Sequence, residues 1–248
     1  MSRSNWFEEG GTAYAEFRPD YPEALVTWLV AHAPGHDHAA DIGCGTGQLT
    51  HAIGPFFHHV DGFDMSADQI AHAAQGANIT YRVAGADAIP LEDYTIDLLT
   101  VAQAAHWFDL PAFYREAQRV LKPRGLLALI SYGVLHIEAP LTERFASFYW
   151  NEIGPYWPKE RKLVDDGYRT LDFPFNELNA PPFTIRVQWT LDAFLGYVGT
   201  WSATKKALKN GQQALLAEFG QEISALWGNP STKRTVEWPI AIRAARLP

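Results

Sequence analysis

The sequence predicts an α/β fold: a doubly wound, mostly parallel sheet with helices on both faces. Three observations carry that reading. The apolar lead-in Ala39-Ala40 runs into Asp41-Ile42-Gly43-Cys44-Gly45-Thr46-Gly47 and then into a helical stretch, Gln48 to Ile53, closed by Gly54-Pro55. A strand that empties into a glycine turn and then a helix is the ligand-cradling corner of such a sheet. Strand and helix patterns then alternate along the chain, as parallel sheets require. Finally, Ile96–Ala102 is nearly all apolar, like a parallel strand covered on both faces.

Taken in order, residues 1–20 bring Trp6, Phe7, Tyr14, Phe17 and Arg18. Arg18-Pro19-Asp20-Tyr21-Pro22 makes a rigid turn, since each proline biases its predecessor away from helix. Pro22 opens a helix to about Ala33 with an apolar stripe at Leu25, Trp28 and Leu29. The second strand ends at Val60–Asp64. Ser66 and Gln69, at capping-box spacing, start a helix over Ala67–Ala74. Ile79–Val83 and Ile96–Ala102 are the third and fourth strands. Asp109 caps a helix over Leu110–Leu121, with Pro111 tolerated in its first turn. Lys122-Pro123-Arg124-Gly125 stops that helix before a fifth strand, Leu126–Tyr132. Residues 138–182, with Phe145, Phe148, Tyr149, Trp150, Tyr156 and Trp157, read as a mostly helical insertion that lids the active site. Phe183–Thr190 is a sixth strand, Leu191–Lys209 and Gln212–Trp227 are helical, and Thr235–Leu247 is a last, antiparallel strand. The joining segments are short enough for one domain, 1–248. It divides into an N-terminal cover (1–35), a core (36–137), the lid (138–182) and the rest of the sheet (183–248).

Composition limits the function classes. No run approaches the roughly twenty apolar residues of a membrane span, and the first thirty residues lack the basic start and apolar centre of a signal peptide. No membrane partner and a cytoplasmic location are therefore expected. The single cysteine, Cys44, excludes an intrachain disulfide and agrees with that location. Up to residue 137 there are 7 Lys+Arg against 16 Asp+Glu; from 138 onward there are 13 against 12. A nucleic-acid enzyme needs a basic footprint, so a small-molecule partner is expected instead. The clusters Lys159/Arg161/Lys162 and Lys205/Lys206/Lys209 are read as solvated faces.

The loop spacing separates cofactor classes. A dinucleotide loop wants G-x-G-x-x-G; here the third glycine, Gly47, comes one residue early and Gln48 stands in its place. No P-loop lysine is present either. Asp41-Ile42-Gly43-Cys44-Gly45-Thr46-Gly47 instead resembles the first motif of the class I S-adenosylmethionine-dependent methyltransferases. The strings Val60-Asp61-Gly62-Phe63-Asp64-Met65-Ser66, Ala84–Leu91 and Gln103-Ala104-Ala105-His106-Trp107-Phe108 extend the likeness over residues 36 to 132, to their type 11 domains. Tyr14 to Pro22 resembles the cover of the trans-aconitate methyltransferase-like subgroup. The resemblance implies seven strands in the order 3-2-1-4-5-7-6, with S-adenosylmethionine as cofactor and S-adenosylhomocysteine as product. It places the methionine part of the cofactor against Gly43, Cys44, Gly45 and Gly47, with Asp41 near its ammonium or ordering the loop through backbone amides. Asp64, with Met65, takes the ribose hydroxyls; the alternative is a turn acid. Asp87 and Ala88 meet the adenine, and Ala102 and Gln103 line the cofactor. Tyr14, Arg18, Tyr21 and Trp107 face the acceptor, for which the subgroup and the cationic residues of the cover suggest a small organic acid.

His106 follows the fourth strand at the edge where such sheets bind ligands. It serves either as a general base or as pocket lining. No metal is expected: His58 and His59 point to opposite faces of a strand, and His36 and His38 have no third ligand near them in sequence. Two rival functions stand beside methyl transfer. An NAD-dependent oxidoreductase shares the fold, and a catalytically silent module would share the cofactor cradle.

Overall fold

The structure, a computed structural model, describes residues 19–247. Trp6, Phe7, Tyr14, Phe17 and Arg18 lie outside the described residues. The chain divides into two compact units: a sheet unit of Asp20–Gly133, Lys162–Ile185 and Pro239–Pro248, and an aromatic unit that includes Val134–Arg161 and Arg186–Trp238.

In the sheet unit, α1 (Glu23–His32) leads to β1 (His38–Ile42), α2 (Gln48–Ile53), β2 (His59–Asp64), α3 (Ala67–Ala71) and β3 (Ile79–Val83). Then follow β4 (Ile96–Ala102), α4 (Leu110–Val120) and β5 (Leu121–Tyr132). Strands run β3-β2-β1-β4-β5, all parallel. Every residue of β4 from Ile96 to Val101 is buried, which is why its sequence is mostly apolar; the two exceptions, Asp97 and Thr100, are buried with hydrogen-bond partners. On α4, Phe113, Tyr114, Ala117 and Val120 form the buried stripe. Asp109 Oδ1 accepts the amide of Ala112 at 3.1 Å and starts the helix, a cap worth about 1 kcal/mol.

The chain continues through β6 (His136–Ile137), α5 (Leu141–Ser147), α6 (Arg161–Asp165), β7 (Phe183–Trp189), α7 (Leu191–Gly199), α8 (Ser202–Lys209), α9 (Gln213–Trp227) and β8 (Arg234–Arg246). The second half of β8 lies antiparallel to β5, from Tyr132 opposite Ile240 to Leu126 opposite Arg246. Its first half pairs with β6, and β7 also pairs with β8. The predicted order is thus observed, with β8 as the predicted seventh strand, β7 as the sixth, and the two-residue β6 as an addition. Aromatic rings fill the aromatic unit. Phe148 stacks on Phe219 at 3.7 Å, and Trp201 meets Phe145, Phe148, Tyr149, Trp157 and Tyr197.

Four local expectations are corrected. The helix after β2 ends at Ala71, not Ala74, and its capping box is half made. Ser66 Oγ accepts the Gln69 amide at 3.3 Å, but the Ser66 amide goes to Asp64 Oδ1 at 2.8 Å rather than to Gln69. Lys122–Gly125 does not separate helix from strand; these residues lie within β5, where a register shift between Ile96 and Leu98 absorbs them. The run 191–209 breaks at Thr200-Trp201, where Thr200 Oγ1 turns back to the Tyr197 carbonyl at 2.7 Å. Residues 138–182 are helical only as far as Asp165. Beyond it the chain is irregular, pinned by the Arg243 guanidinium to the carbonyls of Tyr168 and Leu171 and to Glu177.

Candidate active site

Because β1 to β4 are parallel neighbours, their carboxyl ends share one edge of the sheet, the edge at which doubly wound folds bind ligands. Each delivers its motif there. Gly43–Gly47 follow β1, Asp64 and Met65 end β2, Asp87 and Ala88 follow β3, and Ala102 and Gln103 close β4. His106 and Trp107 sit in a 3-10 turn directly after. Tyr21 packs edge-on against Tyr132 with ring centroids 6.1 Å apart.

The glycine loop is wired inward. The amides of Gly43 and Cys44 donate to the Phe63 carbonyl at 2.7 and 2.9 Å, and that of Gly47 donates to Cys44 O at 2.9 Å. The Gly45 amide donates to Asp64 Oδ2 at 2.9 Å. A phosphate cradle needs such amides turned toward the ligand; here four are already committed. The three glycines serve different ends. A side chain at Gly43 would meet Ala104 and Phe108, and one at Gly47 would meet Tyr81. At Gly45, where φ is +57°, the nearest atom to a Cβ would be Gln69 Oε1 at 3.8 Å. Gly45 alone therefore leaves open space before the backbone. Gln69 Oε1 is buried and has no hydrogen-bond partner among the described residues. It is an unpaired acceptor beside the glycine loop, and the sequence showed it only as a helix cap.

Asp64 is a strut as well as an acceptor. One oxygen takes the Gly45 amide, the other the Ser66 amide, which locks the end of β2 to the loop after β1. Each oxygen keeps a second lone pair, so turn acid and ligand acceptor are compatible roles. Asp41 is 1% exposed. Its carboxylate accepts the hydroxyls of Thr50 at 2.7 Å and Thr100 at 2.8 Å. Burial pushes its pKa up to about 6 against those bonds, and the charge of Asp64 adds to the rise. Cys44 lies under the same field: burial first, then Asp41 and Asp64, raise its pKa, so the thiol stays protonated. A thiolate nucleophile is not made here.

Gln103 has φ of +59°, uncommon for a residue with a side chain. It is tied at both ends, its amide to Ile130 O at 2.9 Å and its Nε2 to Tyr132 O at 2.7 Å. His106 Nδ1 lies 3.0 Å from the hydroxyl of the buried Tyr168, a partner that periodicity did not reveal. Met65 and Trp107 present their side chains to solvent, 80% and 59% exposed. Asp87 and Ala88 are exposed as well. Arg119 fixes the segment just beyond them, donating to Ile89 O, Leu91 O and Asp93 at 2.7, 2.7 and 2.8 Å.

At the opposite, amino end of the same strands the fold brings together residues that lie far apart in sequence, and His38 gains potential co-ligands there. His59, its register partner on β2, and Asp61 offer donor atoms that all lie within 4.8 Å of one another and of the His38 ring nitrogen.

The comparisons agree with this geometry. Residues 40–129 match the family model described as "Methyltransferase domain". A Dictyostelium discoideum protein assigned as a methyltransferase is 35% identical over 217 residues, covering 85% of this chain and 82% of its own. An uncharacterized methyltransferase of Schizosaccharomyces pombe is 35% identical over 86% of this chain and 85% of its own length. The solved structure of an Anaeromyxobacter dehalogenans protein, assigned as a type II methyltransferase, superposes with a TM-score of 0.86 at 42% identity, covering 92% of this chain and 97% of that one. With the glycine loop, the Asp64 strut and the strand order in place, the chain belongs to the S-adenosylmethionine-dependent methyltransferases.

Proposed function

We propose that the enzyme transfers the methyl group of S-adenosylmethionine to a small-molecule acceptor, with an organic acid as the leading class. The observation that supports the cofactor assignment most is the charge of the loop edge. Among the described residues, Asp41 and Asp64 take their hydrogen bonds from hydroxyls and amides, not from cations. Such an edge favours a ligand bearing an ammonium and a sulfonium and disfavours a pyrophosphate. In this reading Asp64 accepts the ribose hydroxyls and Gly45 lets the backbone approach. Gln69 Oε1 or Asp41 faces the ammonium, and Met65, Asp87 and Ala88 border the adenine.

When bound, the cofactor supplies an activated methyl group for in-line displacement. The chain supplies alignment and exclusion of water. A carboxylate acceptor is already ionised at neutral pH. His106, oriented by Tyr168, then lines the pocket, while Arg18, Tyr14, Tyr21 and Trp107 hold the acceptor. A hydroxyl or amine acceptor would lose a proton. In that case His106 donating Nδ1–H to Tyr168 would present Nε2 as the base.

Calorimetry with S-adenosylmethionine, S-adenosylhomocysteine and NAD tests the cofactor assignment, and methyl transfer to a panel of mono-, di- and tricarboxylic acids tests the acceptor. Binding of NAD alone would overturn the first. Methylation of hydroxyl or amine compounds but of no acid would overturn the second.

A further inference from the structure

We propose that His38, His59 and Asp61 form a binding site for a divalent transition-metal ion of the zinc type at the amino ends of β1 and β2. The three side chains share one face because His38 and His59 are register partners on adjacent parallel strands and Asp61 is two residues beyond His59. Both imidazoles aim the same atom at the same oxygen. His38 Nε2 lies 2.8 Å and His59 Nε2 lies 3.5 Å from Asp61 Oδ2.

One carboxylate oxygen has room for the His38 hydrogen bond; the second nitrogen converges on it beyond ordinary hydrogen-bond length. Three donors around a tetrahedral zinc ion stand about 3.4 Å apart, given bonds of about 2.0–2.2 Å. The donors here, all within 4.8 Å of one another, close to that spacing when the His59 ring turns inward. That side chain is 42% exposed and has room to turn, while Asp61 is 2% exposed and fixed.

The surroundings hold two of the donors in place. Arg82 takes the other Asp61 oxygen at 2.7 Å, which leaves Oδ2 for the ion. The His38 amide is held by Asp97 Oδ2 at 3.1 Å, and Asp97 is held in turn by Lys122 at 2.9 Å. Such outer contacts orient metal ligands. The donor set selects among cations: two imidazole nitrogens suit zinc, cobalt or nickel, whereas magnesium and calcium demand oxygen. Coordination through Nε2 leaves each ring proton on Nδ1. The ion replaces the His38–Asp61 hydrogen bond rather than breaking the Arg82 pair. At the far end of β1 and β2 from the glycine loop, the ion would clamp two strands together and stand apart from methyl transfer.

Calorimetric titration of the chelator-treated full chain with Zn²⁺, and the visible absorption of added Co²⁺, test the site. Wild type should take up one equivalent of zinc, give the intense visible bands of low-coordinate cobalt, show a zinc-dependent rise in Tm, and ignore Mg²⁺. His59→Ala and His38→Ala should each weaken zinc binding by more than the roughly 10–100-fold that loss of an outer contact costs. The pair His36→Ala and His58→Ala, on neighbouring exposed histidines, should leave it unchanged. Failure of wild type to bind zinc overturns the proposal, and so does zinc bound as tightly by the folded His59→Ala variant.

Discussion

The two ends of β1 and β2 carry the same residue type in opposite settings. At the carboxyl end, Asp41 is buried among hydroxyls and its pKa is driven up to about 6. At the amino end, Asp61 is equally buried, yet its pKa is lowered, because bonds from His38 and Arg82 overcome the cost of burial. The amino-end carboxylate is neutralised within the protein. The carboxyl-end pair keeps an unbalanced negative field. Buried charge without a cationic partner is costly, and the fold retains it at the edge where ligands bind. Among the described residues, the contrast marks which end holds buried negative charge without a cationic side chain beside it, and does so without reference to any motif.

Two aspartates only three residues apart on β2 break the comparison most directly. Asp64→Ala should weaken S-adenosylhomocysteine binding at least about tenfold, since each hydrogen bond to a charged acceptor is worth roughly 1.5–3 kcal/mol. It should also loosen the loop through loss of the Gly45 bond. Asp61→Ala should do the reverse. It lowers Tm, by about 2–4 °C for each kcal/mol lost, and leaves cofactor affinity within about twofold, a change below roughly 0.5 kcal/mol. Calorimetry and thermal melts on both variants check the pair; equal effects on affinity would erase the distinction between the ends.

Asp41→Asn sharpens it. The folded pKa of Asp41 lies above its ordinary value of 3.8, so folding favours the protonated form. The stability this contributes is fully present below about pH 4 and is lost as pH rises through about 6. Relative to Asp41→Asn, wild type should therefore gain stability on acidification from pH 7 to 4. The variant should be at least as stable at pH 7, because threonine hydroxyls can turn to suit an amide. S-adenosylmethionine affinity should fall below about pH 6 in wild type and stay flat in the variant. Denaturant melts and titrations across that range are the measurement.

The smallest effect is expected at His106. With a carboxylate acceptor, His106→Ala should lower kcat by less than about tenfold, well short of the roughly 10²–10⁴-fold contribution of a general base. Arg18→Lys should raise the acceptor KM and spare cofactor affinity, since it keeps charge but loses the planar fork. A pH-rate limb near the imidazole pKa, lost in His106→Ala, would reassign the acceptor to a hydroxyl or amine.

Most of the sheet was legible because burial on both faces writes itself into Ile96–Ala102 and Leu126–Tyr132 as mostly apolar runs, broken only by Asp97, Thr100 and Ser131. The loop glycines were legible from the strand–turn–helix pattern, and Asp64 from its place at a strand end taken together with the family resemblance. What stayed hidden depends on register or on distant partners. His38 and His59 are 21 positions apart and meet only once β1 and β2 are aligned. Tyr168 reaches His106 across 62 positions, from a stretch without periodicity. Gln69 was read as the partner of Ser66, because spacing cannot show that Asp64 has already taken the Ser66 amide.

The aromatic unit has an optical consequence. Of the nine tryptophans, Trp150, Trp157, Trp189, Trp201, Trp227 and Trp238 belong to it, whereas Trp28 and Trp107 belong to the sheet unit. Intrinsic fluorescence therefore reports mainly on the aromatic unit, while far-ultraviolet circular dichroism weighs both. If the units lose structure separately, the two signals will trace different melting curves. Trp107, largely solvent-exposed beside the proposed acceptor pocket, would add a small component whose quenching follows occupancy of the site.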